Sequence, residues 1–298
     1  MKKIAFIGLG HMGEPMARNL LKNGSRLIVS DINQEKLKVF KGFGATVAEK
    51  NFMSEQPEII ITMLPSGKEV RQIYESYIFP NLKNHQLLVD CSTIDVETTR
   101  QLALKAQDKK AYMIDAPVSG GVAGAEAGTL TFMVGGNAQA IEQVKPILLQ
   151  MGKNIIHVGE TGNGQAVKIC NNMMLAIQMI SVAEGFALAE KLNLPASALF
   201  EVASKASGQC WSLTQYCPEP NLVPNSPANK NFAPGFTTAM MLKDLRLSQQ
   251  TAQNVGTATP LGAMATMLYT THHNLAGGQL DFSSIIRLIK GQFGQQVQ

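Results

Sequence analysis

Tryptophan occurs once in the 298 residues, at Trp211, histidine five times and cysteine four times. The cysteines, Cys91, Cys170, Cys210 and Cys217, show no Cys-x-x-Cys spacing and no histidines placed as in zinc sites. That argues against a disulfide framework and against a metal site, and fits reduced thiols in a cytoplasm. Charged residues are sparse at 16%, the formal net charge is only +4, and lysine and arginine are dispersed. With no basic stripe, nucleic acid is not an expected partner. The chain has no internal repeat and no low-complexity segment, and a first strand expected from Ile4 leaves no room for a leader ahead of the fold. The longest apolar stretch carries Gln178 and Glu184 near its middle, which argues against a membrane span.

What the chain does have is apolar material, 45% of its residues, enough for two domains of ordinary size. Its first half alternates short apolar strands with helices, the rhythm of a parallel sheet covered on both faces. The strand Ile4–Ile7 runs into Gly8, Leu9, Gly10, His11, Met12 and Gly13, a G-x-G-x-x-G turn that opens a helix. Such glycines permit a tight turn, close approach of backbone N–H groups to a pyrophosphate, and packing of helix on strand. His11 has no side-chain role of its own here. A second strand, Arg26–Ser30, ends at Asp31, eighteen residues beyond Gly13, where a carboxylate can bind a ribose 2′-hydroxyl and repel a 2′-phosphate. NAD is therefore expected rather than NADP; an ordinary turn carboxylate is the other reading of Asp31.

Ligands on such sheets gather at the carboxyl ends of the strands. Leu64-Pro65 and Cys91-Ser92-Thr93 stand at such ends, although Ser92, Thr93 and Asp95 would also serve as helix caps. In Asp115-Ala-Pro-Val-Ser-Gly-Gly121 the backbone N–H groups of Gly120 and Gly121 beside the Ser119 hydroxyl could cradle a carboxylate, or form a flexible turn. Strands are expected over 129–135 and 155–158. Beyond Gly164 strand signals vanish, and a helix of nearly thirty residues opens, apolar almost all round and so expected to be buried on most sides. Lys168 and Asn172 are four residues apart and share one face of it. A desolvated amine beside a carboxamide suits proton transfer to and from an oxygen substrate, the alternative being a lysine that snorkels out of a structural helix. A proline-rich loop is expected over 208–235, with Trp211 either walling off an apolar part of a substrate or serving as a packing residue. Helices are expected over 196–206, 242–254, 260–273 and 282–290.

These motifs together resemble the β-hydroxyacid dehydrogenase family. The resemblance rests on Gly8–Gly13, Asp115–Gly121, Gly164–Asn172 and Lys243-Asp-Leu245, and covers essentially the whole chain. Ser207–Ser212 and Asp281–Ser284 are similar to the member that oxidises 3-hydroxyisobutyrate in valine breakdown more than to its siblings. The resemblance implies a Rossmann-type doubly wound parallel sheet binding NAD over residues 1–163, joined by the long helix to an all-helical substrate and oligomerisation domain over 164–298. It implies Lys168 as catalytic acid/base, Ser119, Gly120, Gly121 and Asn172 as substrate contacts, Leu64, Pro65 and Thr93 as cofactor contacts, and Lys243 near both nicotinamide and substrate. It further implies a homodimer or homotetramer acting on a small 3-hydroxy acid. The rivals are a sibling acting on tartronate semialdehyde, succinic semialdehyde or serine, and a non-catalytic dinucleotide sensor.

Overall fold

A computed structural model describes residues 2–48 and 50–292. The chain divides into two compact units, Met1–Lys168 and Ile169–Gln298.

In the first unit β1 (Lys3–Ile7), β2 (Arg26–Ser30), β3 (Thr46–Val47), β4 (Ile59–Thr62), β5 (Leu87–Asp90) and β6 (Tyr112–Asp115) form one six-stranded sheet in the order β3-β2-β1-β4-β5-β6. Every pairing is parallel. This is the Rossmann order, with the strand sequence reversing beside β1. Side-chain alternation explains why the strands read as unbroken apolar runs: both faces are covered. Ile4, Phe6, Val29, Ile61 and Val89 pack with Met16 and Leu20 of α1 (Gly13–Lys22) and Leu37 and Phe40 of α2 (Gln34–Gly42). Ala5, Ile7, Ile28, Ile60 and Leu88 face the other way, onto Val70 of α3 (Gly67–Ile73) and Leu102 and Ala106 of α4 (Val96–Asp108).

The strands expected near 129–135 and 155–158 form, but outside this sheet. β7 (Val118–Ser119), β8 (Leu130–Val134) and β9 (Gly152–His157) make a separate sheet, β7 antiparallel and β9 parallel to β8. The chain turns back at the end of β6, where Asp115 and Gly135 exchange backbone hydrogen bonds of 3.1 and 2.8 Å. The glycine-rich stretch after Ser119 is not a loose turn. Gly120 and Gly121 take φ of +132° and +63°, which lets the chain wind at once into α5 (Gly121–Ala127). α6 (Ala138–Leu148) starts where Asn137 accepts the Ala140 N–H.

α7 (Asn163–Lys191) is the long helix, 29 residues or about 44 Å. In the second unit its Ala176, Met179, Ala183 and Phe186 belong to a core with Met241 and Leu245 of α10 (Thr238–Val255), Tyr269 of α11 (Pro260–Ala276) and Ile285 of α12 (Ile285–Ile289). By length and composition α7 could cross a membrane, but that row makes it a core helix of this unit. It is not buried on most sides: Val167, Met174 and Leu188, seven and fourteen residues apart, are exposed. α8 (Ala196–Ala203) follows, and the expected proline-rich loop contains α9 (Trp211–Thr214) and a 3-10 turn at Pro227–Lys230. No strand occurs in this unit among the described residues. Asp281 pins the loop's return. Its Oδ2 accepts from Tyr216 Oη and the N–H groups of Gly235 and Phe236, and its Oδ1 from Ser283 N–H and hydroxyl.

His272 is buried on α11 with Nε2 2.7 Å from Ser284 Oγ and Nδ1 without a hydrogen bond. Burial, aided by the charges of Arg287 and His273, pushes its pKa down to about 4. A base neutral in the fold but protonated in the unfolded chain below pH 6.5 loses stability as pH falls through that window. Denaturant titration should show a loss approaching 3 kcal/mol between about pH 7 and pH 4 that His272→Gln removes.

Candidate active site

The glycine loop divides its labour. A Cβ on Gly8 would stand 2.2 Å from the Met63 carbonyl oxygen and one on Gly13 2.0 Å from that of Gly8, so these two serve the turn and the packing of α1 on β1. A Cβ on Gly10 would meet nothing within 4 Å. The open space is over the one residue where a pyrophosphate must approach the backbone at the start of α1, so the loop fits a dinucleotide. Asp31, at the end of β2, accepts the Leu9 N–H on Oδ2 at 2.5 Å and the Asn33 N–H on Oδ1 at 2.7 Å. The carboxylate expected to meet the ribose is thus also a brace for the loop. Lys36 adds a second brace that sequence reading missed, donating to the Leu9 carbonyl at 2.6 Å and to Glu14 at 2.7 Å. The latter bond holds the Glu14 carboxyl below its ordinary pKa.

The loops at Leu64 and Ser92, expected to line the cofactor, meet in a buried polar cluster. The Leu64 N–H donates to Ser92 Oγ at 2.8 Å; Ser92 Oγ donates to Asp90 Oδ1 at 2.6 Å, which also accepts from Thr62 Oγ1 at 2.8 Å. Asp95, rather than Ser92 or Thr93, caps α4 by accepting the Thr98 N–H. Ser92 and Thr93 are left to hold and line the strand ends. Gln165 Oε1 accepts the Ile94 N–H at 3.1 Å and Gln165 Nε2 donates to the Ser92 carbonyl at 2.7 Å. Asp115, opposite Asp90 across β5 and β6, accepts the N–H groups of Gly162 and Gln165 at 2.7 and 2.8 Å. A carboxylate there satisfies orphan donors of α7 and faces the positive end of its dipole. Lys168 follows Gln165 by three residues and is 7% exposed. Ser119 is half-buried at the end of β7, and its hydroxyl has no protein partner among the described residues.

In the second unit Asn172 is buried, its Nδ2 donating to Asp244 Oδ2 at 2.6 Å and its Oδ1 accepting from Asn171 at 3.1 Å. Asp244 Oδ1 has no hydrogen bond, and Lys243 Nζ stands 3.4 Å from it as an ion-pair partner. Asp244 was within reach of sequence reasoning as the neighbour of Lys243; its bond to Asn172, seventy-two residues away, was not. Trp211 belongs to another cluster. Its half-exposed ring stacks on Tyr216 at 4.9 Å, and Tyr216 stacks on Phe282 at 5.4 Å. Tyr216, fixed by Asp281, carried no recognisable signal. No group of three or more metal-ligating side chains occurs among the described residues.

A Rossmann sheet with an open glycine loop and an acidic residue after β2 defines a dinucleotide-binding oxidoreductase, here followed by a helical unit. Residues 3–159 match the family model described as the NAD binding domain of 6-phosphogluconate dehydrogenase, and 162–289 the one described as NAD-binding of NADP-dependent 3-hydroxyisobutyrate dehydrogenase. The chain is 44% identical to 3-hydroxyisobutyrate dehydrogenase of Pseudomonas aeruginosa, over 98% of this chain and 100% of that protein. It is 41% identical to the NAD-dependent L-serine dehydrogenase of the same organism, over 99% and 100%. The solved structure of Mycobacterium tuberculosis 3-hydroxyisobutyrate dehydrogenase with L-serine superposes with a TM-score of 0.93 at 41% identity, covering 97% of this chain and 99% of that one. The chain belongs to the β-hydroxyacid dehydrogenase family, that of the 3-hydroxyisobutyrate dehydrogenases.

Asp90 is fully buried, and desolvation, reinforced by the charge of Asp115, raises its pKa to about 6 against the pull of its hydrogen bonds to Ser92 and Thr62. An acid whose pKa is raised by folding adds stability at low pH that is lost as pH climbs from about 4 through about 6. The stability of the parent protein relative to Asp90→Asn should therefore drop by about 2 kcal/mol between pH 4 and pH 7 in denaturant titrations.

Proposed function

We propose that the chain oxidises (S)-3-hydroxyisobutyrate to methylmalonate semialdehyde with NAD+. The reading is carried by Lys168, an amine almost wholly buried on the helix turn that follows the Asp115 and Gln165 anchors. NAD+ when bound supplies the acceptor of the hydride that leaves the alcohol carbon. Lys168 takes the hydroxyl proton, so it works in this direction as the free amine and returns the proton in reverse. Ser119, with the backbone of Gly120 and Gly121, holds the substrate carboxylate. Asn172 presents its carboxamide to the substrate hydroxyl, and Asp244 fixes that group's orientation by taking one of its N–H bonds. Leu64, Pro65 and Thr93 contact the cofactor, and Lys243 and Trp211 are the second unit's candidates for substrate contacts. Asp31 favours NAD over NADP by repelling a 2′-phosphate.

A second reading is L-serine oxidation, favoured by the 41% identical serine dehydrogenase and by the L-serine in the Mycobacterium structure. Steady-state rates with 3-hydroxyisobutyrate, L-serine and tartronate semialdehyde, each with NAD and NADP, separate the two. The highest kcat/KM is expected for 3-hydroxyisobutyrate with NAD+; a higher value for L-serine would hand the function to the second reading, and turnover of none would leave a sensor. Lys168→Ala should cost at least about 100-fold in kcat, the range of general base catalysis, with the dissociation constant of NAD changed less than about threefold. More than a tenth of parental kcat in that variant would refute the assignment.

The protein acts in the cytoplasm, a reading supported by four free cysteines. It works as a homo-oligomer: the exposed Val167, Met174 and Leu188 stand seven and fourteen residues apart, multiples of the heptad that fall on one stripe of a helix, and a second copy is the partner suited to cover them. Leu188→Lys should shift the sedimentation coefficient toward that of a monomer, whereas an unchanged value would remove α7 from the interface.

A further inference from the structure

The Gln165 side chain is completely buried in the first turn of α7, and all its carboxamide bonding goes to one loop. Its oxygen takes the N–H of Ile94 and its nitrogen gives to the carbonyl of Ser92, so the two residues flanking Thr93 are both held by a single planar group. The same residue's backbone N–H is bound by Asp115 at 2.8 Å, which fixes the turn from the other side. Space enforces the placement as well: a Cβ on Gly164 would lie 2.4 Å from the Met133 carbonyl oxygen and 2.7 Å from Asp115 Oδ2. Three residues along a helix is about 300° of rotation, so Lys168 leaves the same side of α7 one turn later. The Ser92 end of the loop is tied onward, through its hydroxyl, to the Leu64 N–H and to Asp90.

We propose that Gln165 is a positioning residue that sets the spacing between the loops that hold nicotinamide and the amine that takes the proton. The inference rests on Lys168 acting as the base and on Thr93 and Leu64 lining the cofactor. Gln165 itself touches neither substrate nor cofactor; it fixes Ser92–Ile94 against the turn that carries Lys168. Rotation or slippage of that turn by about 1 Å costs on the order of 100-fold in rate when reacting groups must meet at near-contact distance. Both hydrogen bonds and the helix anchor lie within residues 1–168, so the spacing is a property of the first unit.

The test compares Gln165→Leu, which keeps the bulk and loses both bonds, with Gln165→Glu, which keeps the acceptor for Ile94 N–H but loses the donor to the Ser92 carbonyl. Each is assayed for kcat with 3-hydroxyisobutyrate and for NAD affinity by fluorescence titration, alone and combined with Lys168→Ala. In Gln165→Leu kcat should fall by 30-fold or more, NAD affinity should stay within threefold, and the midpoint of the pH–rate profile should not move. Gln165→Glu should fall between Gln165→Leu and the parent, with kcat at least fivefold below the parent. In the Lys168→Ala background either Gln165 substitution should change the residual rate by less than threefold, because the group being positioned is gone. If whichever of the two variants folds keeps kcat within threefold of the parent, or loses NAD affinity in proportion to kcat, the proposal is overturned. Full activity of Lys168→Ala alone would instead strike the reading beneath it.

Discussion

A buried carboxylate at the start of the longest helix is the constraint on which the rest of the site depends. Asp115 ends strand β6, binds two of the four orphan N–H groups of α7, and is locked in turn by its backbone exchange with Gly135. The strand end and the helix start are thereby welded, and the glycines around the joint, Gly135 and Gly164, are there because a methyl group would strike backbone or carboxylate oxygen within 3 Å. Desolvation raises the Asp115 pKa to about 6 even though backbone donors favour its charge. Such a group is an expensive way to hold two elements together, and what it secures is the location of the turn that precedes Lys168. Under the proposed role of Lys168, chemistry that needs an amine and a hydride acceptor at fixed separation justifies that expense.

Two neighbouring strand ends thus carry buried acids with different tasks. Asp90 gathers Thr62 and Ser92 and through them the loop at Leu64; Asp115 gathers the helix. Gln165 closes the circuit between them without adding charge. The polar groups at the carboxyl edge of the sheet are therefore mostly engaged with one another, and few are left over for ligand. Gly10 contributes bare backbone, and Ser119 keeps a hydroxyl with no protein partner among the described residues.

Much of this was legible in the sequence because it is written locally. The glycine turn, the acidic residue after β2, the apolar strands and the Lys168–Asn172 spacing each lie within a few residues, where periodicity and turn chemistry act. Long-range partners were not legible. Nothing near Asn172 announces Asp244, nothing near Leu9 announces Lys36, and the separation of β7, β8 and β9 into a second sheet depends on the antiparallel return at Asp115–Gly135, a tertiary event. The apolar circumference of α7 misled in one respect. Composition cannot distinguish a side chain turned into the core, such as Met179, from one turned outward, such as Met174.

The three glycines of the first turn also differ in what a change at each would mean. Gly8 and Gly13 are held by the architecture, since a side chain at either would drive backbone apart, while a Cβ at Gly10 would meet nothing within 4 Å. Folding and nucleotide recognition are consequently separable within six residues of chain. A descendant of this protein that abandoned redox chemistry could fill the space over that middle position and keep its shape, so the scaffold can outlive its cofactor.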